Sequence, residues 1–516
     1  MTMNGADCLM QALADAGVTL CLTNPGTTEI HLVAALEKVP QIRTVLGLFE
    51  GVCSGAADGF GRMTGMPAAT LLHLGPGLAN AMANLHNARR AHTPIVNLVG
   101  DHPRYHLSND PPLASDIATM ARPVSGWVRH CQSADQLPAD GVAAVQAAVA
   151  APGQPVTLII PADCAWEASS SINKAGRWPA PEKVPDAAVD AAAKMLRNGR
   201  PTVLLIGGNA LLEPGLRASA RIAHKAGAVV MSHTFDARFT RGAGIPAVKR
   251  LPYFPERAQK RLSQYPQVLL VGTRKPTAFF GYPDGRADLL PEGCQVEILA
   301  QPHQNMVNSL EALADAIGAD RHDYDTPILD RPELPTGDLT IESIGQALGA
   351  LLPEHAIVSD ESGTSGGFAY MQTACAPVHD WLCLTGGSIG QGVPLGTGAA
   401  LACPGRKVVC LQGDGGAMYT IQALWTLARE HLDVTIVIFS NRKYQILQVE
   451  LSRLGFVNPS ASILNTMDLT RPDLDWVKLS ESMGVPAVRA RTIDTFNRAF
   501  SDALSDVGPS LIEVQL

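Results

Sequence analysis

Charge is scarce in this chain. Asp, Glu, Lys and Arg make up 17% of its 516 residues, against roughly 25% in an average soluble protein. The charge that is present nets −8, with an isoelectric point near 6.0, which excludes the basic face that a nucleic acid requires. No run of about eighteen uninterrupted apolar residues occurs, so no segment is fit to cross a bilayer. The opening MTMNGADCLMQALADAGV has neither a basic start nor a long apolar core, and no secretory signal is expected. Ten cysteines stand without one C-x-x-C pair, which argues against a zinc clamp or a disulfide frame. These absences leave a soluble cytoplasmic protein with reduced thiols as the expectation.

Apolar residues are abundant, at 46%. The chain exceeds one core, and at about 150 residues per domain its length implies three domains. Short β-branched or Leu-rich runs alternate with Ala-rich helical stretches throughout. They include VTLCLTNPG (18–26), PIVNLVGDH (94–102), PTVLLIGGN (201–209), RKVVCLQGDG (406–415) and DVTIVIFSN (433–441). Near-continuous apolar strands between helices mark parallel sheets covered on both faces. Polar, Pro-bearing stretches at 166–186 and 320–340 read as linkers. The expectation is α/β, with three doubly wound parallel-sheet domains over 1–170, 187–325 and 340–516. In such sheets ligands bind at the carboxyl edge of the strands.

That edge is richest in the last third. LQGDGGAMYT (411–420) places Asp414 among glycines where one strand ends, and Asn441 ends the next strand after an intervening helix. A βαβ unit puts both side chains at one sheet edge. A carboxylate and an amide oxygen converging there suit a hard cation such as Mg²⁺, which favours few protein oxygens plus phosphate oxygens. A tight turn with an Asx cap is the alternative for the G-D-G alone. Two further glycine-rich segments, DESGTSGG (360–367) and LTGGSIGQGVPLGTG (384–398), occupy the same domain. Together the three loops argue for a diphosphate cradle.

GDGGAMYTIQALWTLA…SNRKY resembles the signature of thiamine diphosphate enzymes, and ALWTLA is similar to benzoylformate decarboxylase and its acetolactate synthase-like relatives. The resemblance runs over nearly the whole chain. It implies a pyrimidine-binding, a central and a diphosphate-binding domain, in that order, and thiamine diphosphate with Mg²⁺ as cofactors. It makes Asp414, Asn441 and the backbone carbonyl of Lys443 the metal ligands. Gly363 and Thr364 would hold the diphosphate, with Gly415, Gly416, Ala417 and Tyr444 beside them. Ile389 would prop the bent cofactor, and the Gly387 carbonyl would accept from its exocyclic amine. Arg442 departs from the family, which commonly has a second Asn there.

The family also needs a carboxylate on the cofactor's pyrimidine ring. In TVLGLFEGVCSGAADGFGRMTG (44–65), Glu50 matches that position, with Phe49 in place of the usual His. Its alternative is a helix-terminal Glu stabilised by the macrodipole. His73 in LLHLGPGLANAMANL (71–85) matches the decarboxylase histidine that handles protons, a task suited to imidazole. A capping or core histidine is its alternative, while His86, His92 and His102 read as structural. NPGTTE (24–29) matches the decarboxylase loop that meets the substrate carboxylate, and by that resemblance Thr27 keeps its hydroxyl; alternatively Thr27 or Thr28 caps a turn. The relative's second active-site histidine should lie near TRKPTAFFGYPDG (273–285), where this chain has Phe279, Phe280 and Tyr282 instead.

These readings imply an enzyme that cleaves a C–C bond next to the carbonyl of a 2-oxo acid or 2-hydroxy ketone. A decarboxylating lyase leads, and an acetolactate synthase-like carboligase (a transferase) follows. By resemblance the unit is a homodimer or homotetramer with sites at the subunit interface. A catalytically silent partner subunit would show damage at Glu50, Asp414 or Asn441, and all three are intact. A plain dinucleotide binder would need G-x-G-x-x-G after the first strand, where NPGTTE stands.

Overall fold

The computed structural model describes residues 3–170, 176, 178–283, 285 and 287–516. Part of the expected linker at 166–186 lies outside the described residues, as does Asp284 at the end of the aromatic stretch. Three sheets form, each with helices on its flanks. The first contains β1 (Leu20–Asn24), β2 (Arg43–Leu46), β3 (Ala68–Leu72), β4 (Ile95–Asp101), β5 (Trp127–His130) and β6 (Pro155–Pro161), in the order β2-β1-β3-β4-β6-β5. The second takes β7 (Thr202–Ile206), β8 (Val229–Ser232), β10 (Lys249–Arg250), β11 (Gln267–Val271) and β12 (Gln295–Ala300). Between β8 and β10 the chain forms β9 (Arg238–Arg241), which leaves that sheet altogether.

The third sheet has β13 (Ile357–Glu361), β14 (His379–Cys383), β15 (Val408–Gly413), β16 (Val434–Ser440), β17 (Ala487–Ala490) and β18 (Ser510–Gln515). Its order is β17-β18-β16-β15-β13-β14-β9. All its pairings are parallel except β9 on β14, which is antiparallel. The expected three parallel sheets are present, with one antiparallel strand added at an edge of the third. There a strand from the middle of the chain satisfies the backbone groups that β14 would otherwise leave open.

Strands β3, β4, β6, β7 and β16 are buried along their whole length, which is why they read as near-continuous apolar runs. The chain's first and last sheets meet through two helices. The helix Glu50–Thr64 lies against the helix Gly392–Ala402, and glycines on each let the backbones touch. A Cβ on Gly59 would stand 2.0 Å from the Leu395 carbonyl, and one on Gly398 would stand 1.8 Å from that of Ala56. No helix among the described residues is long and apolar enough to cross a membrane.

Candidate functional site

The register of the last sheet sets up its edge. Glu361 lies beside Gln412, and Gly413 beside Phe439, so the residues that follow β13, β15 and β16 emerge together. Asp414 is 4% exposed. Its Oδ1 accepts from the Gly415 N–H at 2.8 Å and its Oδ2 from the Arg442 N–H at 2.6 Å. Burial pushes the Asp414 carboxyl up, against the lowering effect of those N–H groups, and a nearby cation would favour its charged form. Asn441 Oδ1 accepts from the Lys443 N–H at 3.2 Å. The spacing therefore brings Asp414, Asn441 and Lys443 to one place, as an all-oxygen set of the kind that suits Mg²⁺.

Glycines let neighbouring groups approach the same edge closely. A Cβ on Gly415 would meet the Tyr444 ring at 2.4 Å, and one on Gly416 would meet Glu361 Oε1 at 2.4 Å. Ala417 is buried beside them. Gly363 has φ +57° and, with Thr364, forms an exposed turn after β13. Gly387 has φ +76°, and a Cβ there would meet the Phe279 ring at 2.7 Å. Ile389 is half-buried two residues on. Bare backbone in these turns, open at Gly363 and closely packed at the other glycines, fits a loop set whose N–H groups could face a diphosphate with its metal.

Glu361 was not singled out from the sequence, yet it ties the cradle together. Its oxygens accept from the backbone N–H groups of Gly390, Gln391 and Gly392 at 2.7, 2.7 and 2.6 Å. Burial pushes its carboxyl up, and those N–H groups pull the other way. The first sheet's helix Leu74–Ala91 fixes the same loop from outside. His86 Nε2 donates to the Gly386 carbonyl at 3.1 Å, and Asn87 Nδ2 to that of Ser388 at 2.7 Å. Asp58 and Arg62, a fully buried pair at 2.7 Å, reach it too, through Gln391 and Thr385.

On the first sheet, Glu50 opens its helix after Phe49 and is 6% exposed. Its Oε2 accepts from Asn80 Nδ2 at 2.9 Å, a partner the sequence reading missed. His73 directly follows β3 and precedes the helix Leu74–Ala91, with its side chain 27% exposed. Its Nδ1 stands 2.8 Å from Oε2 of the buried Glu29. Thr27 is exposed, whereas its neighbour Thr28 places Oγ1 3.5 Å from His73 Nδ1. No hydrogen bond among the described residues joins Glu50 or His73 to the Asp414 edge. Phe279 packs in an aromatic cluster with Phe235, Tyr253 and Phe280, and Tyr282 donates to Glu450 at 3.1 Å.

A glycine-rich edge with a buried aspartate beside an asparagine on one sheet, and a buried glutamate and a histidine on another, could together hold a metal-bound phosphate cofactor. Family comparison agrees with this. Residues 3–122 match the N-terminal thiamine pyrophosphate-binding domain of thiamine pyrophosphate enzymes, and residues 362–514 match the C-terminal one. The chain belongs to the thiamine diphosphate (pyrophosphate) enzymes, in the superfamily that holds acetolactate synthases and benzoylformate decarboxylases. It is 50% identical over 515 residues to a Mycobacterium tuberculosis protein provisionally named an acetolactate synthase large subunit, covering 99% of each chain. It is 28% identical to the benzoylformate decarboxylase of Pseudomonas aeruginosa, covering 96% of each. The thiamine diphosphate-dependent 4-hydroxybenzoylformate decarboxylase of Rhodococcus jostii RHA1 is similar in structure, with a TM-score of 0.86 at 26% identity. That likeness covers 99% of this chain and 98% of the other.

Proposed function

We propose that this chain, with thiamine diphosphate and Mg²⁺, cleaves the C–C bond beside the carbonyl of a 2-oxo acid and releases CO₂. The observation that carries decarboxylation is His73, whose Nδ1 is taken by Glu29 while Nε2 has no hydrogen-bond partner among the described residues and is left for proton work. When bound, the cofactor supplies a nucleophilic carbon and an electron sink for the bond that breaks. Asp414, Asn441 and the Lys443 carbonyl hold the metal. Gly363, Thr364, Gly415, Gly416 and Ala417 hold the diphosphate, with Tyr444 walling that side. Ile389 and the Gly387 carbonyl orient the rings. The Glu50 carboxyl, steadied by Asn80, exchanges a proton with the pyrimidine nitrogen. Thr27 meets the substrate carboxylate, and His73 Nε2 takes and returns a proton at the reacting carbonyl oxygen.

The 50% identical relative's name favours a second reading, in which the same cleavage ends in carboligation to an acceptor 2-oxo acid. Assay of a 2-oxo acid panel with both cofactors, measuring CO₂ and carboligation products separately, decides between the two. Glu50→Gln should keep the cofactor and lose most exchange of its C2 proton for deuterium. Undiminished exchange removes Glu50 from its role. The working unit is read as at least a homodimer, tested by sedimentation at assay concentrations.

A further inference from the structure

We propose that Glu29 is the positioning residue of His73, a buried carboxylate that fixes the ring's tautomer and direction so that Nε2 alone works on substrate. This rests on the reading of His73 given above. Glu29 is 0% exposed, although it lies in a short turn after β1. Its Oε2 accepts from His73 Nδ1 at 2.8 Å and from the Gly26 N–H at 2.9 Å. Its Oε1 accepts from Thr28 Oγ1 at 2.7 Å and from the Leu74 N–H at 3.4 Å. The ends of β1 and β3 thus converge on one carboxylate, and the end of β4 closes over it.

Glycines make that closure possible. A Cβ on Gly26 would stand 2.0 Å from His73 Nδ1, and one on Gly100 would stand 1.8 Å from Glu29 Oε1. Leu74, fully buried, is held at φ 47°, a left-handed conformation that costs a non-glycine residue roughly 1–2 kcal/mol. Strain of this kind persists where the surroundings over-determine it. A turn cap needs none of this, because an exposed acid would serve the Gly26 N–H equally well.

The chemistry follows from the contacts. An ionised carboxylate only accepts, so Nδ1 must carry the proton and the lone pair of the neutral ring lies on Nε2. A proton taken up at Nε2 makes the ring cationic beside a fixed negative charge, and the same nitrogen gives it back. In this scheme Glu29 only accepts a hydrogen bond, as the carboxylate does in a Ser–His–Asp triad.

The direct test is ¹⁵N-histidine NMR of the unliganded full chain, with the His73 signals assigned by their loss in His73→Ala. At a pH where the ring is neutral, the proton is expected on Nδ1, and finding it on Nε2 would overturn this proposal alone. Kinetically, Glu29→Gln should lower kcat roughly 10- to 100-fold with KM nearly constant. Exchange of the cofactor's C2 proton should be spared. In a His73→Ala background the same change should do nothing further, and an undiminished second loss would make Glu29 merely structural. Undiminished turnover in His73→Ala itself would sink the catalytic reading of His73 and this proposal together.

Discussion

Leu74 and Arg442 have positive φ, at 47° and 56°, and each directly follows a residue assigned to the site. Arg442 gives Asp414 only its backbone N–H, while its guanidinium reaches outward to within 3.8 Å of Asp473. Asparagine tolerates the left-handed region better. Arg442→Asn should therefore stabilise the protein by about 1 kcal/mol while leaving cofactor affinity nearly unchanged. A thermal midpoint and a cofactor titration check this, and a lost site would show that the arginine side chain takes part. Asp414 and Asn441 were legible because one βαβ unit delivers both. Glu29 was not legible, because NPGTTE reads as a hydroxyl-bearing turn until His73, 44 residues on, is seen to close on its acid.

The two helices that join the outer sheets show what periodicity leaves out. Gly55, Gly59, Gly396 and Gly398 mark close approaches, but spacing alone does not say to what. In the structure Gly59 and Gly398 face the partner helix backbone, and Gly55 faces Pro394 and Asn84. One of these helices starts at Glu50, and the other follows the loop that Glu361 holds. A single methyl at Gly59 or Gly398 must push them apart, and overpacking of this kind costs about 1–3 kcal/mol. Gly59→Ala and Gly398→Ala should each lower the thermal midpoint and also weaken cofactor binding. If stability fell with affinity untouched, the helix pair would support the fold without setting the site.

At the scale of the whole molecule, the least legible feature is the crossing of β9 from the middle of the chain to β14. Its partners could not be read from sequence, because Arg238, Asp380 and Arg406 come from three distant segments. Burial pushes the Asp380 carboxyl up, but Arg238 at 2.8 Å and Arg406 at 2.7 Å outweigh it and hold the group below the usual carboxylate range. Its neighbour His379 is 1% exposed, with Nδ1 donating to the Pro377 carbonyl at 2.7 Å and Nε2 buried without a partner. Burial first, and then the charge of Arg241, hold its pKa down to about 3. Both folded values are depressed, so both groups lend stability at neutral pH that acid removes. For Asp380 the loss begins below about pH 4, the ordinary aspartate range. For His379 it begins near pH 6.5, where the unfolded chain takes up a proton that the folded chain refuses until about pH 3. The unfolding free energy should therefore fall by up to about 1.4 kcal/mol for each pH unit in that window. His379→Asn keeps a donor for Pro377 and cannot be protonated, so its urea-unfolding midpoint should fall less than the wild type's between pH 7 and pH 5. Equal falls would place the acid sensitivity elsewhere than the β9–β14 seam.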